Sequence, residues 1–287
     1  MVKLDSESQS GMIRTVTASA EHWVDEVLRV LEVDGVLVID DALSLGTCLE
    51  LCAFVKEGLQ IVEREIGIDR LTRAGESGVL RFPLKFFPQF SCLLENPQVD
   101  EVIDRVIGKS AICHLMNAIL LKPMSAQDSS THSDLFQSRF HRDFPRSLGG
   151  KPLSINAFYC LTDFSEVNGS TRFVVGSQQR DDLSVPTSLG TPEPVRARAG
   201  SVIVFDSTIW HAGGNNSATH DRIGVNTQWT FHWIKQQIDL VRYLGADSRS
   251  DFSSRVQQRL GFNSQVVTSL QEYYVSEGER KYRPGQG

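Results

Sequence analysis

The sequence contains few cysteines, and they do not form the pattern of a disulfide-stabilised secreted domain. The 287 residues include 5 cysteines, an odd number, and the first residues are polar rather than a hydrophobic leader. These features favour a reducing, cytoplasmic setting. Cys48 and Cys52 lie four residues apart on a predicted helix, but no second Cys or His pair lies nearby. We therefore expect small core residues there and no metal site.

Long apolar runs and an excess of positive charge are also missing. The apolar runs are far shorter than a membrane span. The chain carries 29 Lys and Arg against 35 Asp and Glu, a formal net charge of -6 at pH 7, which gives no basic field for a phosphate backbone. We therefore expect no membrane span and no nucleic-acid partner, and we expect a small-molecule ligand.

The hydrophobic pattern changes from helical to β-type along the chain, which predicts a mainly β protein with flanking α-helices. The length suits one domain with a large core. The helical tail at the end either packs on the β core or builds a homodimer contact. The predicted segments are a disordered tail at 1–17, a single domain at 18–287, helices at 20–31 and 44–66, a strand at 35–40, a β core at about 111–235 and the helical tail at 236–287.

Three side chains in the β-rich half have the composition of a metal site. Alternate residues of a strand face the same way, so His141 and Asp143 would share one face. A strand that is rich in β-branched residues ends at His211. Two imidazoles and one carboxylate are the ligand set that holds non-haem Fe(II) and leaves positions open for substrate and oxygen. We predict that these three residues bind one iron ion.

A second His-x-Asp sequence, His132 to Asp134, competes with this interpretation. It lies in the polar stretch 125–134, which is typical of a loop, whereas His141 to Asp143 is flanked by phenylalanines and precedes the β-rich half. A metal site needs ligands on a rigid scaffold. We therefore favour His141 and Asp143, and we predict that the loop 125–138 is a lid.

An arginine accompanies the proposed metal ligands. Arg222 begins a second β-rich run after a loop of Gly, Asn and Ser, so a long hairpin would bring it beside His211. A guanidinium is planar and always charged, and it suits a carboxylate. We expect Arg222 to bind the distal carboxylate of a 2-oxoglutarate molecule that lies on the iron.

The metal-site residues belong to a longer pattern of motifs, which are Phe140–Asp143, Leu161–Ser170, Val175–Ser177, Gly200–His211 and Arg222. With these motifs the chain resembles the phytanoyl-CoA dioxygenase-like family of Fe(II)/2-oxoglutarate oxygenases over roughly residues 20–235. One departure lies at Gln178, where many relatives have histidine after the Gly-Ser pair.

The resemblance implies a double-stranded β-helix, also called a jelly roll or cupin-like fold. It also implies Fe(II), 2-oxoglutarate as co-substrate and O2, with His141, Asp143 and His211 on the iron and Arg222 on the C5 carboxylate. Asn156 interrupts a β-rich run and bonds either the C1 carboxylate or neighbouring backbone. Lys122 either reaches the cofactor or is a solvated lysine at a strand end.

The substrate is the least specified part of this prediction. The candidates for substrate contact are Arg139, Phe136 and Trp229, although a surface ion pair for the arginine and a core position for the tryptophan are the competing interpretations. Length and motif spacing resemble relatives that tailor natural products, and hydroxylation is the favoured outcome. The alternatives are an acyl-CoA or lipid hydroxylase of the same family and a non-catalytic jelly roll that binds a ligand as a sensor.

Overall fold

A seven-stranded mixed sheet forms the centre of the protein. The computed structural model describes residues 13–124, 138–180 and 190–286. Within these residues the major sheet has the strand order β1-β2-β10-β7-β12-β4-β3. Its strands are β1 (Thr15–Thr17), β2 (Val36–Asp40), β3 (Val79–Arg81), β4 (Ile112–Leu121), β7 (Ser154–Cys160), β10 (Val202–Asp206) and β12 (Arg222–Thr230).

A smaller sheet faces one side of the major sheet. It has the order β11-β8-β9, and isolated bridges join His141 to His211 and Asn168 to Asn216. Phe158, Phe173 and Phe205 pack in the cluster of buried side chains between the two sheets. The remaining described strands are β5 (Ser147–Leu148), β6 (Lys151–Pro152), β8 (Arg172–Phe173), β9 (Glu193–Pro194) and β11 (His211–Ala212).

Helices cover the other side of the major sheet. Five of the described helices begin at side-chain caps; for example, Ser44 accepts from the amide of Thr47 at the start of α2, and Asn96 accepts from that of Val99 at the start of α4. The helices are α1 (Trp23–Val33), α2 (Leu45–Ile66), α3 (Ile68–Arg73), α4 (Pro97–Val106), α5 (Leu240–Leu244), α6 (Ser254–Leu260) and α7 (Leu270–Tyr273).

Strand alternation divides the central strands between two cores. In β10, Val202 and Val204 face the helices, and Ile203 and Phe205 face the smaller sheet. The same alternation in β7 and β12 places every second residue on the side where the two sheets face each other. That side carries the candidate functional site.

Two predictions about the ends of the chain can be compared with the structure. The segment 1–17 is not disordered throughout, because Thr15–Thr17 forms β1, parallel to β2. Residues 1–12 lie outside the described residues. The tail after residue 235 packs on the core, where Leu240, Val256 and Leu260 are buried. Its predicted role in a homodimer stays a prediction.

The helices that the structure describes are all too short or too polar to cross a membrane.

Candidate metal centre and its pocket

The three predicted metal ligands converge although they come from distant parts of the chain. His141 and His211 form an isolated antiparallel bridge, in which each backbone amide donates to the other residue's carbonyl oxygen, at 2.9 and 3.0 Å. Asp143 lies two residues further along, on the same side of the extended chain. The bridge therefore fixes both imidazoles and the carboxylate relative to one another.

The ligand atoms are spaced as a single cation requires. Oδ1 of Asp143 lies 3.3 Å from Nε2 of His141 and 3.6 Å from Nε2 of His211. Two metal–ligand bonds of about 2.1 Å at right angles separate their ligand atoms by about 3 Å. These side chains could hold a metal ion through one atom each, and all three atoms lie within 4.8 Å of one another.

Backbone carbonyls orient both imidazole rings. Nδ1 of His141 lies 2.8 Å from the carbonyl oxygen of Arg139, and Nδ1 of His211 lies 3.0 Å from that of Ile209. A ring that donates from Nδ1 keeps its proton there and presents the lone pair of Nε2. Both histidines therefore direct Nε2, not Nδ1, towards the site.

The electrostatics of Asp143 favour the ionised carboxylate. Burial alone would raise its pKa, but the charges of the two histidines and the hydrogen bonds from them lower it, so that the pKa is well below its ordinary value. Burial has the largest single effect on His141 and lowers its pKa, but the hydrogen bond to Asp143, the charge of Asp143 and the backbone carbonyl of Arg139 together raise the pKa above its ordinary value. A carboxylate in this form is ready to bind a cation.

Arg222 places a buried positive charge in the same pocket. Its Cζ atom lies 4.7 Å from the ring centroid of Phe164 and 5.9 Å from that of Phe158. Among the described residues, its buried Nε and Nη1 atoms have no hydrogen-bond acceptor. Burial lowers the pKa of Arg222 to about 10. A desolvated guanidinium with open donors needs an anion, and a carboxylate fits its planar fork.

Gly224 makes room for the rings beside that guanidinium. A Cβ atom at Gly224 would lie 2.6 Å from Cε2 of Phe158 and 2.8 Å from Cζ of Phe164. Both distances are too short for carbon atoms in contact. The absence of a side chain therefore allows the two rings to pack against β12 and to contact Arg222.

The model of the phytanoyl-CoA dioxygenase (PhyH) family matches residues 31–224 of this chain. The chain belongs to the phytanoyl-CoA dioxygenase family. It is accordingly a 2-oxoglutarate-dependent non-haem iron oxygenase that uses Fe(II), 2-oxoglutarate and O2. The resemblance identified from the sequence is confirmed.

Two relatives extend over most of the chain. The uncharacterized protein Rv1501 of Mycobacterium tuberculosis is 42% identical over 268 residues, which cover 92% of this chain and 96% of that protein. Dioxygenase aneA of Aspergillus aculeatus is 24% identical over 224 residues, which cover 73% of this chain and 72% of that protein.

A solved structure with a similar fold is that of the non-haem α-ketoglutarate-dependent epimerase SnoN from nogalamycin biosynthesis. It matches with a TM-score of 0.55 at 18% identity, over 72% of this chain and 80% of SnoN. Together with the two facing sheets, this similarity confirms the predicted jelly roll with flanking helices.

In this PhyH protein, a cavity of about 310 Å³ connects the three candidate ligands with Arg222. Asn156 lies behind the cavity wall. It is fully buried, its Nδ2 donates to Oγ of Ser207 at 2.8 Å, and its Oδ1 accepts from Nδ2 of Asn226 at 3.0 Å. The structure thus shows bonds from Asn156 to two side chains, and the predicted contact with the C1 carboxylate stays a prediction.

Trp229 requires a correction. It lies seven residues after Arg222 on β12, an odd separation that turns it to the opposite face of the strand. There its ring is 1% exposed in the helix-side core, its Nε1 donates to Oγ1 of Thr227, and Arg259 stacks over it at 5.3 Å. Trp229 is a core residue and does not reach the substrate cavity.

The other predicted contacts lie away from the cavity or outside the described residues. Lys122 follows β4 and is exposed, and it does not line the cavity. Arg139 is exposed, and its backbone carbonyl orients His141. Phe136, the second His-x-Asp sequence at 132–134 and nearly all of the predicted lid lie outside the described residues.

Several cavity residues were not identified from the sequence. Asn226 and Gln228 lie four and six residues after Arg222, so even spacing along β12 could have indicated them. Asn117 lies opposite Asn226 on the neighbouring strand. The additional polar residues that line the cavity are Arg81, His114, Asn117, Arg142, Thr171, Asn226, Gln228 and Gln237.

Proposed function

We propose that His141, Asp143 and His211 bind the catalytic iron and that Arg222 binds the C5 carboxylate of 2-oxoglutarate. When bound, the iron, 2-oxoglutarate and O2 supply an oxidation of a substrate C–H bond, with succinate and CO2 as products. The observation that carries the assignment is the buried guanidinium of Arg222, which has open donors in the cavity lined by the three candidate ligands.

The metal ligands and Arg222 have different roles in the proposed site. The histidines present Nε2 because their Nδ1 atoms face backbone carbonyls. Asp143 supplies the negative charge and occupies one coordination position. Arg222 fixes the far end of 2-oxoglutarate, which orients the keto acid towards the metal. Phe158 and Phe164 exclude water from the guanidinium and so strengthen its attraction to a carboxylate.

We further propose that the substrate is a small molecule of natural-product biosynthesis and that hydroxylation is the favoured outcome. The structure of SnoN from nogalamycin biosynthesis, solved with Fe3+, α-ketoglutarate and nogalamycin RO, matches this fold with a TM-score of 0.53 at 15% identity. The polar side chains that line the cavity, among them Asn226 and Gln228, favour this class over an acyl-CoA or lipid, whose chain would leave them without hydrogen-bond partners.

The experiment that tests the proposal separates iron binding from 2-oxoglutarate binding. Anaerobic protein with Fe(II) should develop a weak visible absorption band when 2-oxoglutarate is added, and under air it should release succinate. Arg222→Met keeps the packing between the two phenylalanines and removes the charge. We expect the 2-oxoglutarate concentration for half-maximal absorbance to rise about 30-fold or more, with iron affinity retained.

A matched control is Arg198→Ala, which removes an arginine whose side chain is 78% exposed. Its 2-oxoglutarate titration should match that of the unsubstituted protein. Equal loss of iron and 2-oxoglutarate binding in Arg222→Met would show that Arg222 is structural, and the assignment of the clamp would be wrong.

A further inference from the structure

A network of buried polar side chains lies behind the β12 wall of the cavity. The hydroxyl oxygens of Ser154 and Ser207 are 2.8 Å apart. Asn156 donates from Nδ2 to Ser207 at 2.8 Å, and Gln228 donates from Nε2 to Ser154 at 2.9 Å. Asn226 extends the network, because its Nδ2 donates to Oδ1 of Asn156 at 3.0 Å.

Counting hydrogens limits the ways in which these amides can be oriented. The two serine hydroxyls carry two hydrogens, and one of them lies in the bond between Ser154 and Ser207. At most one hydrogen remains for the two amides that contact them. At least one of Asn156 and Gln228 must therefore donate from its NH2 group, and in the structure both do.

When the NH2 group of a side-chain amide donates to the buried network, its oxygen points away from that network. Asn226 and Gln228 both line the cavity. Oδ1 of Asn226 is buried and has no hydrogen-bond donor among the described residues. A buried acceptor without a donor is costly, so a ligand that donates a hydrogen bond would complete this wall. The carboxylates of 2-oxoglutarate are acceptors and cannot do so.

The charges around the cavity restrict the ligand further. Three arginines line the cavity, but Arg81 is paired with Glu76 and Arg222 is assigned to 2-oxoglutarate. The guanidinium of Arg142 donates to the backbone carbonyls of Ser177 and Arg180, and its positive charge disfavours a cationic amine as the donor. Burial lowers the pKa of His114, so this cavity residue is neutral. An acyl chain has no donor to offer the amide oxygens, and it would leave them desolvated and unpaired. A neutral molecule with hydroxyl groups meets all of these conditions.

We propose that the substrate is a neutral, hydroxyl-bearing molecule whose O–H groups donate to Oδ1 of Asn226 and Oε1 of Gln228. The inference rests on the proposed function, because it takes the cavity beside the iron as the place of oxidation. It adds the substrate class, which the metal ligands and Arg222 do not specify.

The amide orientation can be measured without any substrate. In the full-length protein loaded with Zn(II) and 2-oxoglutarate, the side-chain NH2 signals of Asn226 and Gln228 can be assigned by their loss in Asn226→Leu and Gln228→Met. We expect both NH2 groups to exchange slowly with solvent, because they face the buried network. Rapid exchange of both groups would show that their oxygens face the network, which would overturn the proposal.

Two probes test the substrate class in the same complex. Methyl α-D-glucopyranoside should shift both NH2 signals, and octanoyl-CoA should not. Gln228→Met should weaken glucoside binding about five- to tenfold, the effect of losing one or two hydrogen bonds. The control is Leu115→Met, because Leu115 pairs with Gln228 across the sheet and lines the same cavity. It should change the affinity by less than about twofold.

Three results would overturn the proposal: shifts by octanoyl-CoA alone, shifts by neither probe, or equal weakening in Leu115→Met. Failure of the proposed function would be seen separately, because Fe(II) and 2-oxoglutarate would then give no visible band in the unsubstituted protein.

Discussion

Asp206 is a buried carboxyl group at the end of β10. Burial raises its pKa above the ordinary value of 3.8, and hydrogen bonds from the backbone amide and the hydroxyl of Thr208 offset this only in part. The folded protein therefore binds this proton more tightly than the unfolded chain does. The ionised carboxylate lowers the free energy of unfolding at neutral pH, and this penalty disappears as the pH falls through the raised pKa towards 3.8.

Asp206→Asn should accordingly stabilise the protein at pH 7. The amide keeps an oxygen that accepts from Thr208 and removes the buried charge. Urea unfolding at several pH values between 4 and 7 checks this, and the gain in free energy should shrink towards pH 4. A gain of the same size at every pH, or a loss at pH 7, would contradict the account.

At the level of single residues, much of the candidate site could be predicted from spacing. His141, Asp143, His211 and Arg222 follow from ligand chemistry and strand alternation, and the structure brings all four to one cavity. Alternation also explains the error at Trp229, whose odd separation from Arg222 already places it on the far face. The bonding partners of buried amides could not be predicted, because they depend on which strands become neighbours.

At the level of elements, α6 is joined to α4 by a buried ion-pair cluster. The Arg259 side chain is 0% exposed, and its guanidinium bonds Asp100 at 2.6 Å and Asp104 at 2.7 Å. Arg255 bonds the same two carboxylates, but its side chain is 30% exposed. The sequence predicted a helical tail at 236–287 but not α4, and it did not show that charged residues of the two helices meet. Only the tertiary fold brings together residues more than 150 positions apart.

The difference in exposure makes the two arginines a matched pair. Arg259→Met should lower the free energy of unfolding by about 3 kcal/mol, because it leaves two part-buried carboxylates with less compensation. Arg255→Met should cost about 1 kcal/mol or less, since solvent already screens that pair. Chemical denaturation of both variants measures the difference. Equal losses would mean that exposure does not govern the strength of this cluster.

At the level of the whole molecule, the family match and the folded unit differ in extent. The family model ends at residue 224, but Leu240, Val256, Leu260 and Phe262 belong to the same buried cluster as the β4, β7 and β12 side chains. Composition and length predicted one domain at 18–287. They left open whether the tail packs on the β core or builds a homodimer contact, because apolar residues on a helix suit either surface.

We therefore expect the protein to unfold as one unit. Calorimetry should show a single transition whose calorimetric and van't Hoff enthalpies agree. A chain that ends at residue 235 should fail to fold, because it would expose the apolar face that the tail covers and lose the ion pairs from Arg259 to α4. Circular dichroism and resistance to proteolysis measure this. A truncated chain with a native-like melting transition would show instead that residues 236–287 are an addition to an independent β core.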